Sequence, residues 1–249
     1  MEEGPRAFET VDGRYVPSVT AEQMREVDRI AVEELGLCVL QMMENAGRNL
    51  AGHAMEMLGD SGREVAVLAG SGGNGGGGLC CSRHLQNHGL RVSVILSKRP
   101  EDLRGPAAHQ ARTLRAAGVE PVKAEGARQA IRRADVTVDA LVGYSLHSAP
   151  RGRVRELIDL CNEESRLALS LDLPSGLDAT TGEGPGVVVS AARTLTLALP
   201  KTGLCAFAGE LYLADIGIPP EVYRRMDLDF EWPDRRRYWL ALRRMGLAG

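Results

Sequence analysis

Residues 65–79 read VAVLAGSGGNGGGGL, an apolar, β-branched run that ends abruptly in a stretch of almost nothing but glycine. A strand that opens through glycines into a helix is how a fold brings bare backbone N–H groups up to a phosphate. Gly70, Gly72 and Gly75 satisfy G-x-G-x-x-G. The pattern is weak in a chain with 29 glycines, and its place between a strand and a helix is what gives it weight. The expectation is a strand over 64–69, a glycine loop, and a helix from about Leu79 through Leu85 to His88.

Outward from this stretch the same alternation repeats. Towards the N-terminus, Thr20 and Gln23 form a capping-box pattern. Met24, Val27, Ile30, Ala31 and Leu35 then share one helical face up to Gly36, and a second helix covers about 40–58. Towards the C-terminus, strands are expected at 91–96, 136–142, 167–173, 194–199 and 211–214, with a short extended piece at 120–123. Helices are expected at about 105–117, 127–133 and 151–162. The inner strands are continuous apolar runs rather than alternating ones, which marks strands covered on both faces. The fold class is therefore α/β: a three-layer, Rossmann-like, mostly parallel sheet with helices on both faces. Residues 1–18 read as a loose leader and 19–226 as one domain. Residues 227–249 read as an arginine-rich extension, a solvated helix whose Trp232 and Trp239 pack on the domain, or a free partner-binding tail.

Bulk properties exclude several classes. At 249 residues the chain can bury a large core, and 44% hydrophobic with 25% charged residues is ordinary for a globular protein. A net charge of −3 and 4% aromatics argue against nucleic acid as a partner. No apolar run approaches a membrane span and no signal peptide is visible. Five cysteines, an odd number with no C-x-x-C spacing, point to a reducing, cytoplasmic setting rather than disulfides or a zinc site.

In a doubly wound sheet ligands bind beyond the carboxyl ends of the strands. The glycine stretch with Asn74 follows one strand. Asp139, Gly143, Tyr144 and Ser145 follow a second. Asp172, Ser175, Gly176 and Asp178 follow a third. Asp172 closes the run LALSLD, where a partly buried carboxylate needs a function or a partner, and it reads as functional. Asp139 stays open between the two. Asp178 reads as a turn or cap residue, Cys80 and Cys81 as small packing residues, and His84 and His88 as packing rather than metal ligands. A nucleophile elbow and a Walker A motif are both absent. Lys98 and Arg99 stand where a dehydrogenase would carry its ribose-binding acid. That disfavours an NAD dehydrogenase and leaves a thin NADP oxidoreductase reading.

Four segments then resemble the NAD(P)H-hydrate epimerase family, built on the YjeF N-terminal domain. They are TAEQMREVDRIAVEELG with LQMMENAGRNLA, the glycine stretch with its helix, VDALVGYSL, and LDLPSGLDATTG with TLTLALPKTGL and LADIGIP. The resemblance covers about 19–223. It implies interconversion of the R and S epimers of hydrated NADH or NADPH, with Asp172 contacting the hydrated ring as acid/base. It implies that Gly73, Asn74, Gly75, Gly76 and Gly77 wrap the phosphates, and that Gly143, Tyr144, Ser145, Leu146, His147, Ser148 and Ala149 close the other side. It further implies a potassium ion on Asn74, Asp139 and Ser175, a homodimer, and coupling to a separate NAD(P)H-hydrate dehydratase, since the chain is too short to hold one. Gly73 and Gly77 stand where the family has Asn and Asp. A non-catalytic nucleotide- or protein-binding relative is the alternative they raise.

Overall fold

Val65, Val67 and Ala69 pack to one face of the strand Glu64–Ala69, and Ala66 and Leu68 to the other. Both faces of that strand are therefore covered by helices, as a continuous apolar run requires. The computed structural model describes residues 8–245. In chain order the elements are β1 (Phe8–Thr10), β2 (Tyr15–Val16), α1 (Ala21–Arg29), α2 (Val39–Leu58), β3 (Glu64–Ala69), α3 (Gly73–Asn87), β4 (Arg91–Leu96) and α4 (Gly105–Ala116). There follow α5 (Ala127–Arg133), β5 (Val136–Ala140), α6 (Gly152–Glu164), β6 (Ala168–Leu171), β7 (Arg193–Leu197), β8 (Glu210–Ala214), α7 (Pro220–Arg224) and β9 (Trp239–Arg244).

Among the described residues the strands form one sheet in the order β2-β1-β9-β8-β7-β6-β5-β3-β4. From β4 to β8 every pairing is parallel, and β9, β1 and β2 add antiparallel edges. Helices α1 to α4 cover one face, through residues such as Val27, Leu50, Leu85 and Leu114. Helices α5 and α6 cover the other through Ile131, Leu157 and Ile158. The chain leaves β3 for β4 on one side and returns to β5 on the other. The carboxyl ends of β3 and β5 therefore flank the topological switch point.

The capping box at Thr20 is present: its hydroxyl accepts from Gln23 N and Gln23 Oε1 accepts from Thr20 N. Three expectations are corrected. The leader is not loose where it is described, because Phe8 is fully buried and pairs with Arg244 and Val16. The arginine-rich extension ends in a strand, not a helix. β9 inserts between β1 and β8, and Trp239 packs edge-on against His53 of α2 with ring centroids 5.2 Å apart. Sheet pairing there overrides a charge run that reads as a solvated helix face. Residues 1–7 and 246–249 of the leader and extension lie outside the described residues. The piece at 120–123 forms no strand, although Val122 N donates to Val94 O at 2.8 Å.

The third correction concerns the glycines. The helix begins at Gly73 rather than near Leu79, so most of the glycines form its first turns. A Cβ on Gly75 would lie 1.9 Å from Gly70 O, and one on Gly78 would lie 2.6 Å from the Ala140 Cβ. Helix α3 thus approaches the strand ends too closely for side chains. At Gly73 a Cβ would meet nothing within 4 Å. The expected outcome is that Gly75→Ala loses about 1–3 kcal/mol to overpacking. Gly73→Ala is neutral or gains up to about 0.5 kcal/mol. Urea unfolding of both variants checks this, and equal losses at the two positions would sink the close-approach account.

Candidate functional site

At the switch point lies a cavity of about 680 Å³. Asp28 of α1, Met43 of α2, Asn74 of α3, Tyr144 beyond β5, Asp172 beyond β6 and Lys201 beyond β7 all line it. Asp172 is the residue that ends β6, and its φ of 68° is a left-handed conformation rare for a residue with a side chain. Such backbone strain persists only where the surroundings fix it. Here they do. Its N–H donates to Leu195 O at 2.7 Å, and Oδ2 accepts from Tyr144 N at 3.1 Å. Oδ1 accepts from the Lys201 ammonium, from Leu197 N at 3.4 Å and from Thr196 Oγ1 at 3.5 Å. Asp172 and Lys201 are 3% and 1% exposed. Every partner of the carboxyl is a donor, so the site holds it as a carboxylate paired with a buried cation.

Asp139 lies wholly inside, on β5. Its carboxylate accepts from Ser170 Oγ at 2.8 Å, Ser175 N at 2.8 Å, Ser175 Oγ at 2.6 Å and Leu141 N at 3.3 Å. Burial pushes its pKa up, against the pull of those hydrogen bonds. The bond to Leu141 N also turns the chain, which ends β5 at Ala140 instead of 142. Asn74 Nδ2 donates to Leu171 O at 3.1 Å, tying the first turn of α3 to the end of β6. Gly143 passes between these groups. A Cβ on it would lie 2.9 Å from Asp172 Oδ2 and 3.1 Å from Asn74 Oδ1, so the loop after β5 admits only glycine at that point.

The structure brings Gly73, Asn74, Gly77, Gly143, Tyr144, Ser145 and Asp172 together around the cavity. Gly75 and Gly76 are buried in packing: the Cβ of the first would meet Gly70 O, that of the second Met43. Leu146, His147, Ser148 and Ala149 continue the loop away from the cavity lining. Ser175 stands behind the cavity, on Asp139. At Gly73 a Cβ would meet open space, whereas at Gly77 it would press on the buried Leu171 Cδ2 at 2.8 Å.

The remaining sequence candidates have structural roles. Asp178 Oδ1 accepts from Thr180 N and Thr181 N, a turn. Burial pushes the Cys80 thiol up to about 12. Glu44, Cys80 and His84 converge, but the Arg83 guanidinium, 2.5 Å from Glu44 Oε2, already supplies the cation there. Arg99 pairs outward with Glu101 and Asp102, whereas Lys98 lines the cavity.

Sequence reasoning missed Lys201 and Asp28. Lys201 closes TLTLALPK, the same apolar-run-then-charge signal that singled out Asp172. Asp28 adjoins Val27 on the apolar side of α1, where a carboxylate is out of pattern. Tyr144 OH donates to its Oδ2 at 2.5 Å.

The sequence profile described as "YjeF-related protein N-terminus" matches residues 39–203. The NAD(P)H-hydrate epimerase of Dehalogenimonas lykanthroporepellens is 50% identical over 227 residues, 89% of this chain and 90% of that protein. The NAD(P)H-hydrate epimerase of Rhodopirellula baltica is 35% identical over 220 residues, 86% of this chain and 89% of that one. The bifunctional NAD(P)H-hydrate repair enzyme Nnr of Hyperthermus butylicus is 42% identical over 196 residues, 76% of this chain but 36% of that protein. The crystal structure of the yeast protein YNL200c shares the fold at a TM-score of 0.80 and 23% identity, covering 91% of this chain and 100% of that one.

Removing one partner of a buried ion pair leaves an uncompensated charge. Lys201→Met is therefore expected to lose about 3–5 kcal/mol. In Asp172→Asn/Lys201→Met much of that loss should return, because the stranded carboxylate is gone. Chemical denaturation at neutral pH reads both, and a double variant no more stable than Lys201→Met would refute the pairing.

Proposed function

The chain belongs to the YjeF-related N-terminal family, the family of the NAD(P)H-hydrate epimerases, and from that premise we propose that it interconverts the R and S epimers of hydrated NADH or NADPH. One observation carries this reading. A strained, buried carboxylate, Asp172, lines a nucleotide-sized cavity that the glycine N-terminus of α3 also lines. The N–H groups of the first turn, around Gly73 and Asn74, suit the substrate's phosphates. The nicotinamide end then falls beside Asp172. The hydrated ring carries a hydroxyl on the carbon next to its nitrogen. Epimerisation there passes through positive charge at that carbon or through ring opening, and a fixed carboxylate with a neighbouring ammonium serves either. The relatives named as epimerases are 50% and 35% identical over most of this chain, so the non-catalytic alternative is not favoured.

A potassium ion belongs to the same proposal. The donor set is all oxygen, which suits a hard cation. Asn74 Oδ1 accepts no hydrogen bond among the described residues, and the Ser175 hydroxyl stands on Asp139. Asp139 already has four donors, so it supplies charge behind the ion through Ser175 rather than an open ligand position. Bound there, the ion would fix the start of α3 against the loop after β5. Family membership also supports a homodimer and a separate dehydratase that consumes one epimer. The five cysteines, all free, suit a reducing cytoplasm.

Supplied with both epimers and a dehydratase that consumes only one, the protein should accelerate depletion of the other. Asp172→Asn should cut kcat by roughly 10²–10⁴-fold. No acceleration by the unaltered protein would remove the epimerase reading. At constant ionic strength, replacing potassium by choline should slow the same assay, and Asn74→Ala should erase the difference. An identical rate in both salts would remove the ion.

A further inference from the structure

Asp28 is a carboxyl that the proposed function has not used. It sits on α1, four residues past Met24, and lines the cavity that Asp172 also lines. Among the described residues its hydrogen-bond partner is the Tyr144 hydroxyl, and no cation is paired with it. Tyr144 spans the two carboxyls, with its N–H on Asp172 Oδ2 and its hydroxyl on Asp28 Oδ2. The Lys201 ammonium lies 5.8 Å from the centre of the Tyr144 ring. We propose that Asp28, held by Tyr144, is the second acid/base of the site, handling protons on the face of the substrate ring opposite Asp172 and Lys201.

This rests on the epimerase reading and adds the proton path it lacks. The environments of the two carboxyls differ in the way an acid and a base require. Asp172 meets only donors and an ammonium. Asp28, half-buried, meets the Tyr144 hydroxyl and lies near the Tyr223 phenol of α7. Desolvation raises its pKa, more than the Tyr144 hydrogen bond and the Lys201 charge lower it, and the negative charge of Asp172 raises it further. Arg25, one turn earlier on α1, acts on Tyr144. A carboxyl so placed gives up its proton less readily than an exposed one.

In the forward step the Asp28 proton passes to the hydroxyl oxygen of the hydrate. The C–O bond breaks with its pair on oxygen, and water leaves. The lone pair of the ring nitrogen becomes the second bond of a C=N iminium cation, which the Asp172 carboxylate faces. Water then adds from the Asp172 side. Its oxygen forms the new C–O bond, the C=N pair returns to nitrogen, and the surplus proton passes to the Asp172–Lys201 pair. Nothing is oxidised or reduced. The other epimer runs the same path backwards, with the two carboxyls exchanging roles. Between turnovers their protons re-equilibrate with solvent.

The test compares the wild type with Asp28→Asn and Tyr144→Phe in the coupled assay, over a range of pH. Asp28→Asn should fold with a thermal midpoint within a few degrees of wild type. It should keep KM within a few-fold and lose at least about 100-fold in kcat. Wild-type kcat should fall on the alkaline side as Asp28 loses its proton. In Tyr144→Phe the hydrogen bond that favours the ionised carboxyl is gone, so this limb should move to higher pH. That shift decides the matter if Asp28→Asn does not fold. An Asp28→Asn enzyme within about threefold of wild type, or an alkaline limb unmoved in Tyr144→Phe, overturns the inference while the epimerase reading stands. A wild type that leaves both epimers untouched overturns both.

Discussion

Helix α3 turns side-chain-free backbone at Gly75 and Gly78 to the ends of β3 and β5, and the site follows from that contact. Any Cβ at Gly75 or Gly78 would strike the Gly70 carbonyl or Ala140. Because the backbone comes so near, Asn74 reaches across to Leu171 O, and Gly143 threads between Asn74 and Asp172. The helix N-terminus is thereby fixed relative to three strand ends. On the proposed function, the phosphates and the ring of the substrate would meet one rigid frame that needs no later closure.

The second constraint is the cost of buried charge. Asp172, Lys201, Asp139 and Asp28 all lie in or beside a largely apolar core. Their surroundings differ: Asp172 and Lys201 form an ion pair, Asp139 has a full set of hydrogen-bond donors, and Asp28, half-buried, takes the Tyr144 hydroxyl. The same residue type thus sits in three environments.

Much of this was legible in the sequence. The apolar runs declared the parallel sheet, and the residues following them placed Asp139 and Asp172 on one edge. Asn74 and the glycines came with the first run. Other features were hidden because they depend on distant partners. WLALRR becomes a strand because Glu210–Ala214 and Phe8–Thr10 lie on either side of it, and no local pattern announces the second pairing, across nearly the whole chain. The glycines looked like a loop because their poor helix propensity is a local property, whereas the space that selects them is tertiary. Asp28 and Lys201 were readable in principle as charges out of place, but their meaning lay in contacts with Tyr144 and Asp172 on other elements.

The seam between β1 and β9 bears on how the protein is made. The parallel part of the sheet, β3 to β8, is built from βαβ units whose strands are near one another in sequence, so it can assemble as the chain emerges. Phe8 must wait for Arg244, far along the chain. Until then Phe8 has only its hairpin partner Val16, and the flank of β8 lies open. Newborn chains are therefore most exposed to mispairing at this flank until Trp239–Arg244 has been made.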